Sequence, residues 1–418
     1  MNYLNNLAFN TLENVLKPEE LGLRLIEDKL GAFGIILSEE QKNHLKQQLQ
    51  GEELDKLSIN LTDAQKRQLE RTGSDLDKIV LDFERLEEID ELENVIQDVF
   101  AKAISEILSK ISDSLLDARK SQAPTLLKQQ KDMRLQFADR VHEIWSKPLD
   151  LLEMLLGVSL EAGADFNEHF RPIASQENDL VFEVLTRLHA RGCQVGSEIL
   201  TLLRNGFADG AHARWRTLHE ITVVAQFINK YGNDVAERYL CHAAVIDYKR
   251  VSKYQEHCAV LGYSPLSQEE IDEIKSRRDK MIERFGVAFR HTYGWAAEVL
   301  GKEKPTFKQI EQEIGIQHLR PFYQLANINI HAGSKSAAFR LGSPPGDTRL
   351  LVAGPSIFGL GEPGQNTALS INQLTVTLLF TRPNLDRLAF ASTTQKLVNE
   401  IFWAFDEIMQ ELEEKESS

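Results

Sequence analysis

Between Ala211 and Glu220 the chain sets two histidines, two arginines and a glutamate (His212, Arg214, Arg216, His219 and Glu220) into ten consecutive residues of strongly helical composition. The run from Ile221 to Ile228 is almost wholly apolar, so the segment predicts a helix buried in a core. Titratable groups on such a helix are costly unless they are paired or put to use. An arginine there offers a planar fork to a phosphate or carboxylate, and a histidine can take up or release a proton. At 100° per residue, His212, Arg216, His219 and Glu220 share an arc of about a quarter turn, with Arg214 on the other side. Arg216 and Glu220 are also spaced i,i+4, so this pair reads equally as an intrahelical ion pair.

A second group of polar and aromatic residues lies downstream. Tyr293 and Trp295 flank Gly294 after a helical stretch, and Tyr323, Asn327, Asn329 and His331 follow in a further one. His331, just before Ala332-Gly333, is expected at a helix C-terminus, where an imidazole either satisfies the helix dipole or joins the arginine helix in chemistry. The pairs Cys241-His242 and His257-Cys258 hold soft ligands, but on one helix they stand about 24 Å apart, too far for one zinc ion. Gly359 to Gly364 spells GxGxxG without a preceding strand and with Pro363 inside it, so no dinucleotide site is expected. Neither a metal nor a cofactor is implied.

The elements that must carry these residues all read as helices. Residues 1–70 suggest a small region of short amphipathic helices, one containing Leu21, Leu23, Leu25, Ile26 and Leu30, another opened by a Ser38-to-Gln41 capping box, a third beginning near Leu61 to Gln65. Residues 71–170 suggest an amphipathic arm, one long helix or a helical hairpin, with Leu81, Leu86, Ile89, Leu92, Ile96, Val99, Ile104, Ile107, Leu108, Ile111 and Leu115 in helical register. A composition shift near Gly157 to Phe170 leads into a helical bundle at 171–400. Its helices are expected at Glu177–Arg204, Ala208–Lys230, Asp234–Leu261, Ser267–Arg290, Thr367–Thr381 and from Leu385 on. Residues 340–366, dense in glycine and proline, predict one long ordered loop, and residues 401–418 an acidic tail with a fraying end. The fold class is therefore all-α: a helical N-terminal arm and a larger helical bundle with one Gly/Pro-rich loop.

Composition narrows the function. The formal charge of −15 over 418 residues argues against nonspecific binding of duplex DNA, while leaving room for a local basic pocket that takes RNA or a nucleotide. Three scattered cysteines predict reduced thiols and a cytoplasmic protein. No signal peptide is expected at the N-terminus, and no uncharged run of about 18 apolar residues suggests a membrane span. The long helices suit a homo-oligomer or a protein partner.

The string Ala213 to Glu220, the Tyr293-Gly294-Trp295-Ala296 step, His331-Ala332-Gly333 and Gly354-Pro355-Ser356 resemble an uncharacterised bacterial all-helical family, a domain of unknown function, over roughly residues 175–385. The resemblance implies a pocket shared by Arg216, Glu220 and His331, and an association with mobile or phage-defence neighbourhoods. Arg214 and His219 further fit the Arg-x4-His spacing of metal-independent HEPN ribonucleases, a short motif that chance also supplies, and their side chains diverge by about 140° on a straight helix. Two functions follow as expectations. The first is a HEPN-like endoribonuclease, a defence or toxin effector, in which His219 or His331 deprotonates a ribose 2′-hydroxyl while Arg214 or Arg216 stabilises the phosphorane. In it His212, Glu220, Tyr293, Trp295, Tyr323 and Asn329 support the site. The second is a non-catalytic sensor or adaptor that binds a nucleotide or other small anion and a protein partner.

Overall fold

Hydrophobic periods of three and four residues dominate the sequence, and the computed structural model turns them into helices throughout. It describes residues 17–31, 33–50, 57–71, 89–331, 333–335, 339–344 and 352–417, and no strand occurs among them. The chain divides into two compact units, Met1–Gln130 and Lys131–Ser418.

In the first unit, α1 (Pro18–Gly31), α2 (Glu39–Leu49) and α3 (Asp63–Arg71) enclose a small core of Leu23, Ile26, Leu30, Ile35, Leu37 and Leu45. The expected capping box is present: the Gln41 amide donates to Ser38 Oγ at 3.3 Å and the Ser38 amide to Gln41 Oε1 at 2.9 Å. Gln65 carries the core's outer edge, accepting from the Thr62 amide at 2.9 Å and donating to the Ile36 carbonyl at 2.6 Å.

Helix α4 runs unbroken from Ile89 to Glu177, so the described part of the expected arm is one helix; the part of that leucine-isoleucine stretch before Ile89, with Leu81 and Leu86, lies outside the described residues. The composition shift at Gly157 to Phe170 is a packing signal and not a chain break. A Cβ at Gly163 would collide with the His189 ring, so the small residue lets two helices approach closely.

The second unit is a bundle built around one central helix. Helices α5 (Leu180–Arg204) and α6 (Ala208–Tyr231) pack together. Beyond them come α7 (Asn233–Cys241), α8 (Ala243–His257), α9 (Gln268–Phe285), α10 (Ala297–Leu300), α11 (Phe307–Ile314), α12 (Arg320–Ile330), α13 (Gly361–Leu379) and α14 (Leu385–Ser417). Helix α6 touches α5, α7, α11, α12 and α13, and its Trp215, Leu218, Val223, Phe227 and Ile228 are fully buried. The buried core continues through Trp145 and Leu152 of α4, Ile371 and Leu374 of α13, and Ile401 and Phe405 of α14. Trp215 pins α6 to α13, its indole N–H lying 3.0 Å from both the Asn366 carbonyl and Ser370 Oγ.

Several expected boundaries move; the helix expected over Ser267–Arg290, for one, ends at Phe285, where Gly286 takes φ +90°. The helix expected over Asp234–Leu261 breaks at His242, which turns its ring Nε2 to the His291 carbonyl at 2.8 Å and so ends α7. The Gly/Pro loop is shorter than 340–366, because Gly361 to Asn366 already belong to α13; Pro363 sits in its first turn, where no N–H is required, and Gly361 and Gly364 admit Met409 and Phe405. Residues 345–351 of that loop lie outside the described residues. The acidic end, expected to fray, continues α14 to Ser417.

Candidate functional site

The first turn of α6 follows a tight turn at Asn205-Gly206, where Gly206 takes φ +75° and its carbonyl accepts from the Ser356 amide at 2.9 Å. From there the helix presents Asp209, Ala213, Arg216 and Glu220 at steps of four, three and four, a single stripe. Helix α12 packs on α6 and supplies Tyr323 near one end of the stripe and Asn329 and His331 near the other. The stripe thus has two stations about 10 Å apart along the helix.

The first station is closed by its own charges. Arg216 Nε donates to Glu220 Oε1 at 3.0 Å, and the Tyr323 hydroxyl donates to the same oxygen at 2.6 Å. The guanidiniums of Arg216 and Arg320 lie 4.8 and 4.9 Å from the centre of the Tyr323 ring. Burial, helped by Glu220, pushes the Tyr323 phenol well up, so it remains a donor. Beneath the ring, fully buried His219 gives its Nε2–H to Glu311 Oε1 at 2.9 Å, and Glu311 Oε2 accepts from Arg320 Nη1 at 2.5 Å. His219 Nδ1 and Arg320 Nε are buried without a hydrogen-bond partner. Phe307 packs against His219, Tyr293 and Tyr323 and closes the apolar side.

The second station is open. Asp209, Gly210 and Ala213 of α6, Ile328, Asn329, Ile330 and His331 at the end of α12, and Arg340 line a cavity of 330 Å³. The first amides of α6, like those of any helix, have no intrahelical acceptor, and no side chain among the described residues caps them. Asp209 does not face the cavity as a bare carboxylate: its Oδ1 accepts from the Leu341 amide at 3.0 Å and Oδ2 lies 3.5 Å from the Gly342 amide. Asn329 Nδ2 is buried with no partner among the described residues, and His331, exposed, is the C-cap of α12.

The residues expected from sequence are thus distributed unevenly. Arg216, Glu220, His219 and Tyr323 come together, with Tyr293 beyond Phe307, while His331 and Asn329 belong to the other station; the implied pocket of Arg216, Glu220 and His331 divides in two. Arg214 faces α5, where it pairs with Glu198, so it and His219 serve different neighbours. Trp295, 4% exposed and edge-on to Phe227 and Tyr239, is a core residue. His212 is fully buried, stacked on Trp215, with Nε2 3.4 Å from Glu362 Oε1. Burial holds its pKa down to about 4, against an opposing pull from the Phe322 backbone, and pushes the Glu362 carboxyl up. Sequence reasoning missed Asp209, Glu311, Arg320, Arg340 and Glu362; for Asp209 alone a signal existed, its place on the Arg216–Glu220 stripe.

Residues 182–348, about two fifths of the chain, match the model of a family of unknown function (DUF5677), a shorter span than the 175–385 expected. Both stations fall inside that span. No curated protein and no solved structure matches the chain.

Proposed function

We propose that the larger unit is a binding module that takes a small phosphate-bearing anion at the open end of the α6–α12 seam. The observation that carries this reading is the convergence of polar groups on one cavity: the start of α6, which no described side chain caps, the exposed His331, the buried amide of Asn329, which has no partner among the described residues, and Arg340, whose Nη1 also donates to the Phe339 carbonyl at 3.0 Å. A helix N-terminus joined by a guanidinium is a ready anion site, and the volume suits a phosphate with a small attached group. The paired first station, with two guanidiniums and two carboxylates already bonded to each other, would buttress the seam from behind. In this reading the protein senses or presents its ligand and does not transform it.

A ribonuclease remains the second reading, favoured by one observation: His331 is exposed in the same cavity as Arg340. An imidazole there could take the 2′-hydroxyl proton while the guanidinium steadies the phosphorane. His219 fits that role poorly, since it is fully buried and its Nε2 is held by Glu311.

One titration distinguishes them. Thermal melts of the full chain in inorganic phosphate and nucleoside mono-, di- and triphosphates should show stabilisation, about 2.7 kcal/mol at a hundredfold excess over Kd. Arg340→Ala should cut it to about 0.4–1.4 kcal/mol at the same concentration. RNA incubated with the same preparation in EDTA should stay intact; cleavage lost in His331→Ala would replace the binding module with the nuclease. Melts indifferent to every phosphate, with intact RNA, would refute both.

A further inference from the structure

Between Ser112 and Gln136 nearly every described side chain of α4 is exposed, apolar ones included. Leu108, Leu115, Leu126 and Met133 are 57%, 47%, 49% and 62% exposed, which is uneconomical for four large apolar residues on a helix unless something covers them. At 100° per residue these four fall within about 20° of one another, forming one narrow stripe. Leu116 and Leu127 stand well to one side of it.

The spacing along that stripe is symmetric. Leu108 lies twelve positions before Lys120, and Met133 lies twelve after Ser121; Leu115 lies five before and Leu126 five after. Arg119 and Gln122, within about 30° of the stripe's centre, are one position out on either side. A chain pairing with a different protein has no need of such a mirror. A chain lying antiparallel on its own copy does, because a two-fold axis puts each residue opposite its equidistant counterpart.

We propose that α4 pairs antiparallel with α4 of a second copy of this chain, the two-fold axis crossing between Lys120 and Ser121. Leu115 then packs on Leu126 and Leu108 on Met133, large on large at both flanks. The central layer sets the Arg119 guanidinium against the Gln122 amide oxygen of the other chain, a polar pair that fixes register as buried polar residues do in coiled coils. Parallel pairing would stack Arg119 on Arg119, two like charges. Pro124, whose ring removes a helix hydrogen bond, stands on the opposite face and takes nothing from the seam. This proposal does not depend on the anion site.

The full-length chain provides the test, by sedimentation equilibrium. Wild type should show a mass twice the 47.5 kDa of the chain, and the double substitution Leu115→Glu/Leu126→Glu should return it to one copy with unchanged helical circular dichroism. Leu135→Glu, exposed but off the stripe, should remain dimeric. Direction is read by oxidation: Gln122→Cys should form an interchain disulfide, while Leu108→Cys, whose two copies would stand about 38 Å apart, should not. A wild-type monomer at every concentration, a dimer indifferent to the double substitution, or cross-linking of both cysteine variants would each overturn the proposal.

Discussion

The two stations on α6 use nearly the same residue types to opposite ends. At Tyr323, arginine, histidine and carboxylate bond to one another; at His331, arginine, histidine and amide line a cavity where Asp209, the one carboxylate among its described lining residues, is occupied by loop amides. The difference lies in where the carboxylates come from. Glu220 meets Arg216 within α6 and Glu311 meets His219 and Arg320 across the α6–α11–α12 contacts, so charge is balanced inside the protein, whereas Asp209 is turned toward the backbone of Leu341 and Gly342. A cluster of titratable residues in a sequence therefore marks a place where charge must be managed. Whether it is managed internally or left for a ligand is decided by residues far away in the chain.

The comparison can be broken most severely at Glu311. Glu311→Ala strands buried His219 and Arg320 without their shared acceptor, and should cost about 3–5 kcal/mol in urea unfolding while leaving phosphate affinity of the folded protein unchanged. A loss of affinity with little loss of stability would mean that the closed station is the binding site. Arg340→Ala should do the reverse, weakening phosphate binding by about 10- to 100-fold, the loss of one charge-assisted contact, and moving stability by about 0.5 kcal/mol or less. Isothermal titration beside a denaturation curve reads both.

Acid sharpens the contrast at the buried histidines. His189 and His212 are each held to about pKa 4 by burial, below the ordinary 6.5 that they recover on unfolding. The unfolded chain therefore binds more protons between those values, so stability complete above pH 6.5 should fall by about 1.4 kcal/mol per pH unit for each as pH drops toward 4. Glu362, raised by burial, works the other way near the bottom of that range. Urea midpoints from pH 7 to 4.5 should be flatter in His212→Gln than in wild type; parallel curves would remove His212 from the account. The smallest effect belongs to Arg216→Ala, where a quarter-exposed ion pair and a cation–π contact should together be worth about 1 kcal/mol.

Much of the architecture was legible because it is local. Capping at Ser38, the turn at Asn205-Gly206 and the apolar run after Glu220 are each written within a few residues, and α2 and α6 begin or run where those signals lie. Breaks caused by tertiary contact were not legible: α7 ends where His242 finds the carbonyl of His291, and α13 starts early because glycines admit residues of α14. The site divides the same way. Helical angle alone groups Arg216 with Glu220, but the partners that give each station its character, Glu311 and Arg320 in one and Arg340 in the other, come from about 90 to 130 residues away, where periodicity carries no information.

Trp215 gives this seam an optical voice. Its indole stacks on His212 with ring centres 5.4 Å apart and lies 5.2 Å from the ring of His219. A protonated imidazole at that range drains the excited state of an indole, and a neutral one leaves it bright. The buried tryptophan at the heart of α6 therefore reports, in its emission, the protonation of the His212 ring stacked on it.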